Sequence, residues 1–232
     1  MLLTELQLGD ILLLEDTEEW KKGHKMSKTK HLGIRAGQKY TGLNVSRSNK
    51  GRAKLIHAVI CVREESAGGV KVGEASGQGH VQISDLRDGT YEVYTCTSRL
   101  LADRASQAAR TWAGTGTLGY AKGKAVGSVF HSDTLGEKGE QRALMYAYQI
   151  DQERPSWGGS GAFCSEFVVA CYQAAAIELD RVKNSGAATW DPLQALKGDV
   201  LQCDAKHCSV RALHDRLFRD PGFSHSLTSL DV

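Results

Sequence analysis

Cys164 stands where a glycine-rich stretch gives way to an apolar helix pattern. Residues 156–161 read SWGGSG. From Cys164 onward, Cys164, Phe167, Val168, Cys171, Tyr172 and Ala175 recur at i, i+3, i+4, i+7, i+8 and i+11. A thiol at the start of such a helix feels the positive end of the helix dipole and the free N–H groups of the first turn. Both favour the thiolate, the nucleophilic form. The same N–H groups can cradle a developing oxyanion, and the glycines let a substrate approach the sulfur. The competing reading is a core cysteine, like Cys171 one heptad later.

A thiol nucleophile needs a base. Of eight histidines, only His57 lies in a strongly apolar strand pattern, KLIHAVICV at 54–62. Period-two alternation points it the same way as Leu55, Val59 and Cys61. That placement suits a general base and equally a satisfied core histidine. His24 and His31 fall in a cationic stretch and read as solvated. The base needs an acceptor to fix its tautomer. Glu74, in VKVGEA at 70–75, is the first candidate, with His80 and Gln78 as weaker ones. If Val62 pairs with Val70, His57 falls opposite Ala75. A one-residue slip sets it opposite Glu74 and also turns its side chain to the other face. The competing reading of Glu74 is a solvent-facing strand residue.

The elements that must position these groups follow from the pattern. Residues 6–15 read as a buried strand after a Gly-Asp turn. Residues 54–62 and 70–75 read as a hairpin, with further strands at 80–83 and 90–95. Residues 98–113 are a helix with Leu101, Ala105, Ala108 and Trp112 at helical spacing. Residues 140–150 are a second, with Leu144, Ala147 and Tyr148 on one side. The helix opened by Phe163 is expected to fray near 178–180. Short helical pieces follow from Asp191 and over 210–218. Strands and helices are segregated, which predicts an α+β fold with an antiparallel sheet. At 232 residues a single domain is expected, one that buries roughly 70% of its unfolded surface.

Four motifs, in order over residues 6–176, resemble the circularly permuted branch of the NlpC/p60 superfamily of papain-like cysteine hydrolases, the YiiX-like and LRAT-like branch. They are LGDILLL, LIHAVICV, GEASGQGHVQISDL and AFCSEFVVACYQAA. His before Cys is the permuted order. The resemblance implies a permuted papain-like fold. It also implies a triad of Cys164 as nucleophile, His57 as general base and then acid, and Glu74 as orienting residue. Residues 1–232 form one hydrolase domain on this reading. The chain departs from the pattern in a basic insertion at about 20–54 and an extension at about 185–232. The implied activity is amide hydrolysis through an acyl-enzyme, and the implied substrate is a peptidoglycan peptide. The alternatives are a lipid hydrolase or acyltransferase of the same fold, and a non-catalytic module that binds an anionic polymer.

The charge balance bears on partners. The formal net charge is +2, yet residues 20–54 hold eleven Lys or Arg and no Asp or Glu. The rest of the chain carries −9. The cationic stretch suits an anionic polymer or a solvated loop. Its aromatics are Trp20 and Tyr40, so base stacking on nucleic acid is not expected. No secretory signal or membrane span is read. The expectation is therefore synthesis in the cytoplasm and export by a specialised route, as for a type VI effector toxin acting in a target-cell periplasm with an immunity partner. Six cysteines are read as reduced thiols. Cys203, His207 and Cys208 match no common zinc spacing, and GTGTLGYAKGK at 114–124 does not match a P-loop. Neither a metal ion nor a cofactor is expected.

Overall fold

The structure, a computed structural model, describes residues 5–15, 55–66, 69–76, 79–114, 116–121, 132–157, 161–187 and 189–230. The cationic stretch at 20–54, with His24 and His31, lies outside the described residues, as does Gln78.

The chain is α+β. Among the described residues there are six strands, β1 (Ile11–Glu15), β2 (Leu55–Ser66), β3 (Gly69–Ala75), β4 (Val81–Asp85), β5 (Gly89–Cys96) and β6 (Phe223–Leu230). Four helices accompany them: α1 (Arg99–Gly114), α2 (Glu137–Tyr148), α3 (Cys164–Lys183) and α4 (Val210–Arg219). The strands form one antiparallel sheet in the order β4-β3-β2-β1-β5-β6. β1 is central, and its residues Ile11, Leu12, Leu13 and Leu14 are all buried. Gly9 holds its start in place. The Gly9 N–H donates to the Cys61 carbonyl at 2.8 Å, and Cys61 N–H donates to the Asp10 carbonyl at 2.8 Å. Gly9 adopts φ +82°, and a Cβ there would lie 2.5 Å from the Ala102 carbonyl oxygen, so only glycine fits.

Alternation along each strand separates two apolar clusters. Ile11, Leu13, Ala58, Ile60 and Val62 pack with all four helices. Leu12, Leu14, Val59, Cys61, Val72 and Val93 belong to a smaller cluster on the opposite face. Leu55 does not share the face of Val59 and Cys61, as alternation had suggested. It packs with the helix-side cluster. The cause is a bulge between Leu14 and Glu15, where Leu14 pairs with His57 but Glu15 with Leu55. The β2–β3 register is neither of the two weighed from sequence. It runs Ile60↔Gly73 and Cys61↔Val72.

Helix α3 is the spine of the helical layer, buried from Cys164 to Ile177. It runs on through residues 178–180 to Lys183 rather than fraying there, with Arg181 and Lys183 placed favourably in its last turn. In α2 the buried face is Gly139, Ala143 and Tyr146. Leu144 and Ala147 are only partly covered and Tyr148 is exposed. Tyr146 instead anchors the helix, its ring centroid 4.6 Å from that of Trp157.

The region after residue 185 is not an appendage. Leu196, Val200, Leu201, Cys203, Cys208, Leu213 and Leu217 complete the helix-side core, and β6 pairs with β5 along its whole length. The strand reading stopped short of β6 because FSHSLTSL is mostly polar. As an edge strand it needs backbone pairing more than apolar burial.

Candidate active site

The structure brings Cys164, His57 and Glu74 together from three elements: the first position of α3, the middle of β2 and the end of β3. Carried one pair further, the observed register sets Glu74 across from Val59. His57 is then the diagonal neighbour of Glu74 on the same face, within side-chain reach. His57 Nε2 and Glu74 Oε2 are 2.6 Å apart. The Cys164 thiol lies beside the imidazole, close enough that each group shifts the other's titration.

The charges in this line are set by the neighbours. Burial would push the Cys164 thiol up. The hydrogen bond and charge of His57 outweigh it, aided by the backbone N–H groups of Ala58 and Ser165, and the thiol falls below its ordinary range. Burial likewise opposes charge on His57. Its bonds to Cys164 and Glu74 overcome that and push it up to about 10. The two shifts each favour the charged form, thiolate on Cys164 and imidazolium on His57. Cys171, on the same helix, has no such partner, and burial pushes its thiol well up. Of two cysteines with the same helical pattern, only the one at the N-terminus beside a histidine is activated.

Glu74 is buried, 2% exposed, and ionised. Burial raises its pKa, but His57, Ser84 and Arg87 bring it down to about 2. Its Oε1 accepts from Arg87 Nη2 at 2.6 Å, Ser84 Oγ at 2.7 Å and Gln82 Nε2 at 3.3 Å. Sequence reasoning missed these three. The signal was available in part, since Gln82 lies directly across from Glu74, and Ser84 across from Val72 two residues along the same face. Arg87 follows the strand in an ordinary-looking turn and had no signal. His80 pairs with Gly119 through its backbone, and the position beside the imidazole belongs to Glu74.

The wall beside Cys164 comes from 119–121, part of the stretch 114–124 that matches no P-loop. Ala162 N–H donates to the Gly119 carbonyl and Ala121 N–H to the Ala162 carbonyl, both at 2.9 Å. Gly161 has φ +66°, and a Cβ there would lie 2.0 Å from the Gly119 oxygen. Tyr120 lies near enough to feel the sulfur: burial first, then the Cys164 charge, pushes its phenol up. The N-cap residue of α3, Phe163, offers no side-chain cap, which leaves the first-turn N–H groups for the sulfur and for a ligand.

All six cysteines are free. Among the described residues no three or more His, Cys, Asp or Glu side chains are grouped to hold a metal ion. The Cys203 thiol donates to the Val200 carbonyl at 3.2 Å, and its proximity together with burial pushes the Cys208 thiol well up. Among the same residues no helix is long and apolar enough to cross a membrane.

No protein-family model matches the chain, and neither the curated proteins nor the solved structures include a match.

Proposed function

We propose that the protein is a cysteine hydrolase of permuted papain-like type that cleaves amide bonds. The observation that carries this reading is the His57 ring between the Cys164 thiol and the Glu74 carboxylate. The Cys164 thiolate adds to the carbonyl carbon of the substrate, and the carbonyl π electrons move to oxygen. N–H groups at the α3 N-terminus receive that oxyanion. As the tetrahedral species collapses, the C–N bond breaks and the His57 imidazolium passes its proton to the departing amine. A water, deprotonated by the now neutral His57, then attacks the thioester. The acid leaves and the thiolate–imidazolium pair is restored. Glu74 holds the ring and balances its charge throughout.

The substrate class rests on the motif order alone. It points to a peptidoglycan peptide, cut by an effector toxin that a specialised secretion system delivers to a rival cell. Incubation of purified peptidoglycan with wild type and with Cys164→Ala, followed by mass spectrometry of the products, tests it. New muropeptides that depend on Cys164 are expected. Fatty acid released from phospholipid in place of peptide fragments would move the same chemistry to esters. No Cys164-dependent product from either substrate would count against a hydrolase.

A further inference from the structure

The thiol, imidazole and carboxylate are followed by a fourth charged group. Arg87 sits in the turn between β4 and β5, 39% exposed, with one nitrogen 2.6 Å from Glu74 Oε1. Its backbone is tied down as well, since the Tyr91 hydroxyl donates to the Arg87 carbonyl at 3.0 Å. The line Cys164–His57–Glu74–Arg87 therefore alternates in sign, thiolate, imidazolium, carboxylate, guanidinium. Glu74 splits its two oxygens between the two cations.

We infer that Arg87 is a positioning residue of the hydrolytic site, which keeps the shared proton on His57 rather than on Glu74 and so keeps Cys164 a thiolate. This inference rests on the hydrolase reading above. A carboxylate and an imidazole 2.6 Å apart in a buried site can exist as an ion pair or as a neutral pair with the proton moved across. A neutral pair removes the imidazolium that the thiolate needs. A guanidinium on the far oxygen favours the ionised carboxylate and tips the balance to the ion pair. Among the described residues the groups that face Glu74 are His57 from β2, Gln82 and Ser84 from β4, Arg87 from the turn and the Tyr91 phenol from β5. Burial pushes that phenol far up and it stays neutral, so Arg87 is the cation opposing His57 across the carboxylate. Ser84 and Gln82 supply hydrogen bonds without charge.

Alkylation of Cys164 by iodoacetamide against pH, read on the Cys164 peptide by mass spectrometry, tests this without knowledge of the substrate. In the wild type the rise in rate falls below the ordinary thiol range. In Arg87→Met it moves up by a measurable fraction of a pH unit, less than the roughly one to three units that an opposite charge works on a carboxylate it touches directly. Arg87→Lys restores part of the shift, because the charge returns without the planar fork. With a muropeptide substrate, Arg87→Met lowers kcat on the order of ten-fold, part of what a positioned proton transfer supplies, with KM within about two-fold. A limb in Arg87→Met that coincides with wild type, whatever its melting temperature, overturns the inference. A wild-type limb at the ordinary thiol value instead overturns the hydrolase reading itself.

Discussion

Cys164 and Cys171 occupy one helix, both on its buried length, and their thiols are driven in opposite directions. Desolvation acts on both. Only Cys164 also has an imidazole and two backbone N–H groups, and those decide the sign. The paired shifts have a consequence for stability. His57 is raised from 6.5 to about 10, so its contribution is complete below pH 6.5 and is lost as pH rises through about 10. Cys164 is lowered from 9.0, so its contribution is complete above pH 9 and is lost as pH falls through its depressed value. Across the middle range the two slopes oppose each other, since the proton has only moved from sulfur to nitrogen. Glu74 has no such compensation. It is lowered from 4.5 to about 2, so its contribution is present above pH 4.5 and is lost as pH falls through about 2. The urea midpoint of wild type is expected to exceed that of Glu74→Gln at pH 6, and the gap to close between pH 4.5 and 2. A gap that stays constant over that range would show that Glu74 makes no ionic contribution to folding.

At the scale of elements, the site depends on how three segments meet. The register of β2 on β3 makes His57 and Glu74 diagonal neighbours on one face. The hydrogen bonds of Ala162 to Gly119 and Ala121 fix the chain just before Cys164. Gly161→Ala tests that junction. Alanine at φ +66° costs about 1–2 kcal/mol by itself. Its Cβ also meets the Gly119 carbonyl at 2.0 Å, and the segment must shift to relieve it. Melting temperature is expected to fall, with a larger loss of Cys164 alkylation at neutral pH than stability alone explains. Unchanged alkylation would separate the loop from the site. The motif strings for the strands and for α3 were readable because apolar periodicity differs between them, 2 against about 3.6. The β2–β3 register was not readable. Register shifts between Cys61 and Arg63 and between Arg63 and Ser66 lie in that hairpin, and no local pattern announces them.

At the scale of the molecule, the region after Asn184 acts as a clamp on α3. Ser165 Oγ donates to the Cys208 carbonyl at 2.6 Å, and Gln173 Nε2 donates to the carbonyls of Leu201 and Cys203 at 2.9 and 2.7 Å. Each leaves a buried carbonyl unsatisfied if removed, a cost of about 1–3 kcal/mol. β6 adds the outer strand to the sheet beside β5. Truncation after Asn184 is therefore expected to abolish cooperative unfolding, as read by circular dichroism against urea. A truncated chain with a wild-type transition would return the C-terminal region to the status of an extension.

The sequence by itself brought out the types and order of the elements as far as α4, without β6, and Cys164, His57 and Glu74 as candidate site residues. Each of those is a local matter of periodicity, a turn signal or a residue type in an apolar run. The tertiary structure alone decided the diagonal register that joins His57 to Glu74, the place of Arg87 beside Glu74, the wall at 119–121 and the place of the C-terminal region in the core. Those depend on contacts between residues far apart in the chain, where a one-residue change of register or a single bulge redirects a side chain to the other face, and no local pattern records which alternative is taken.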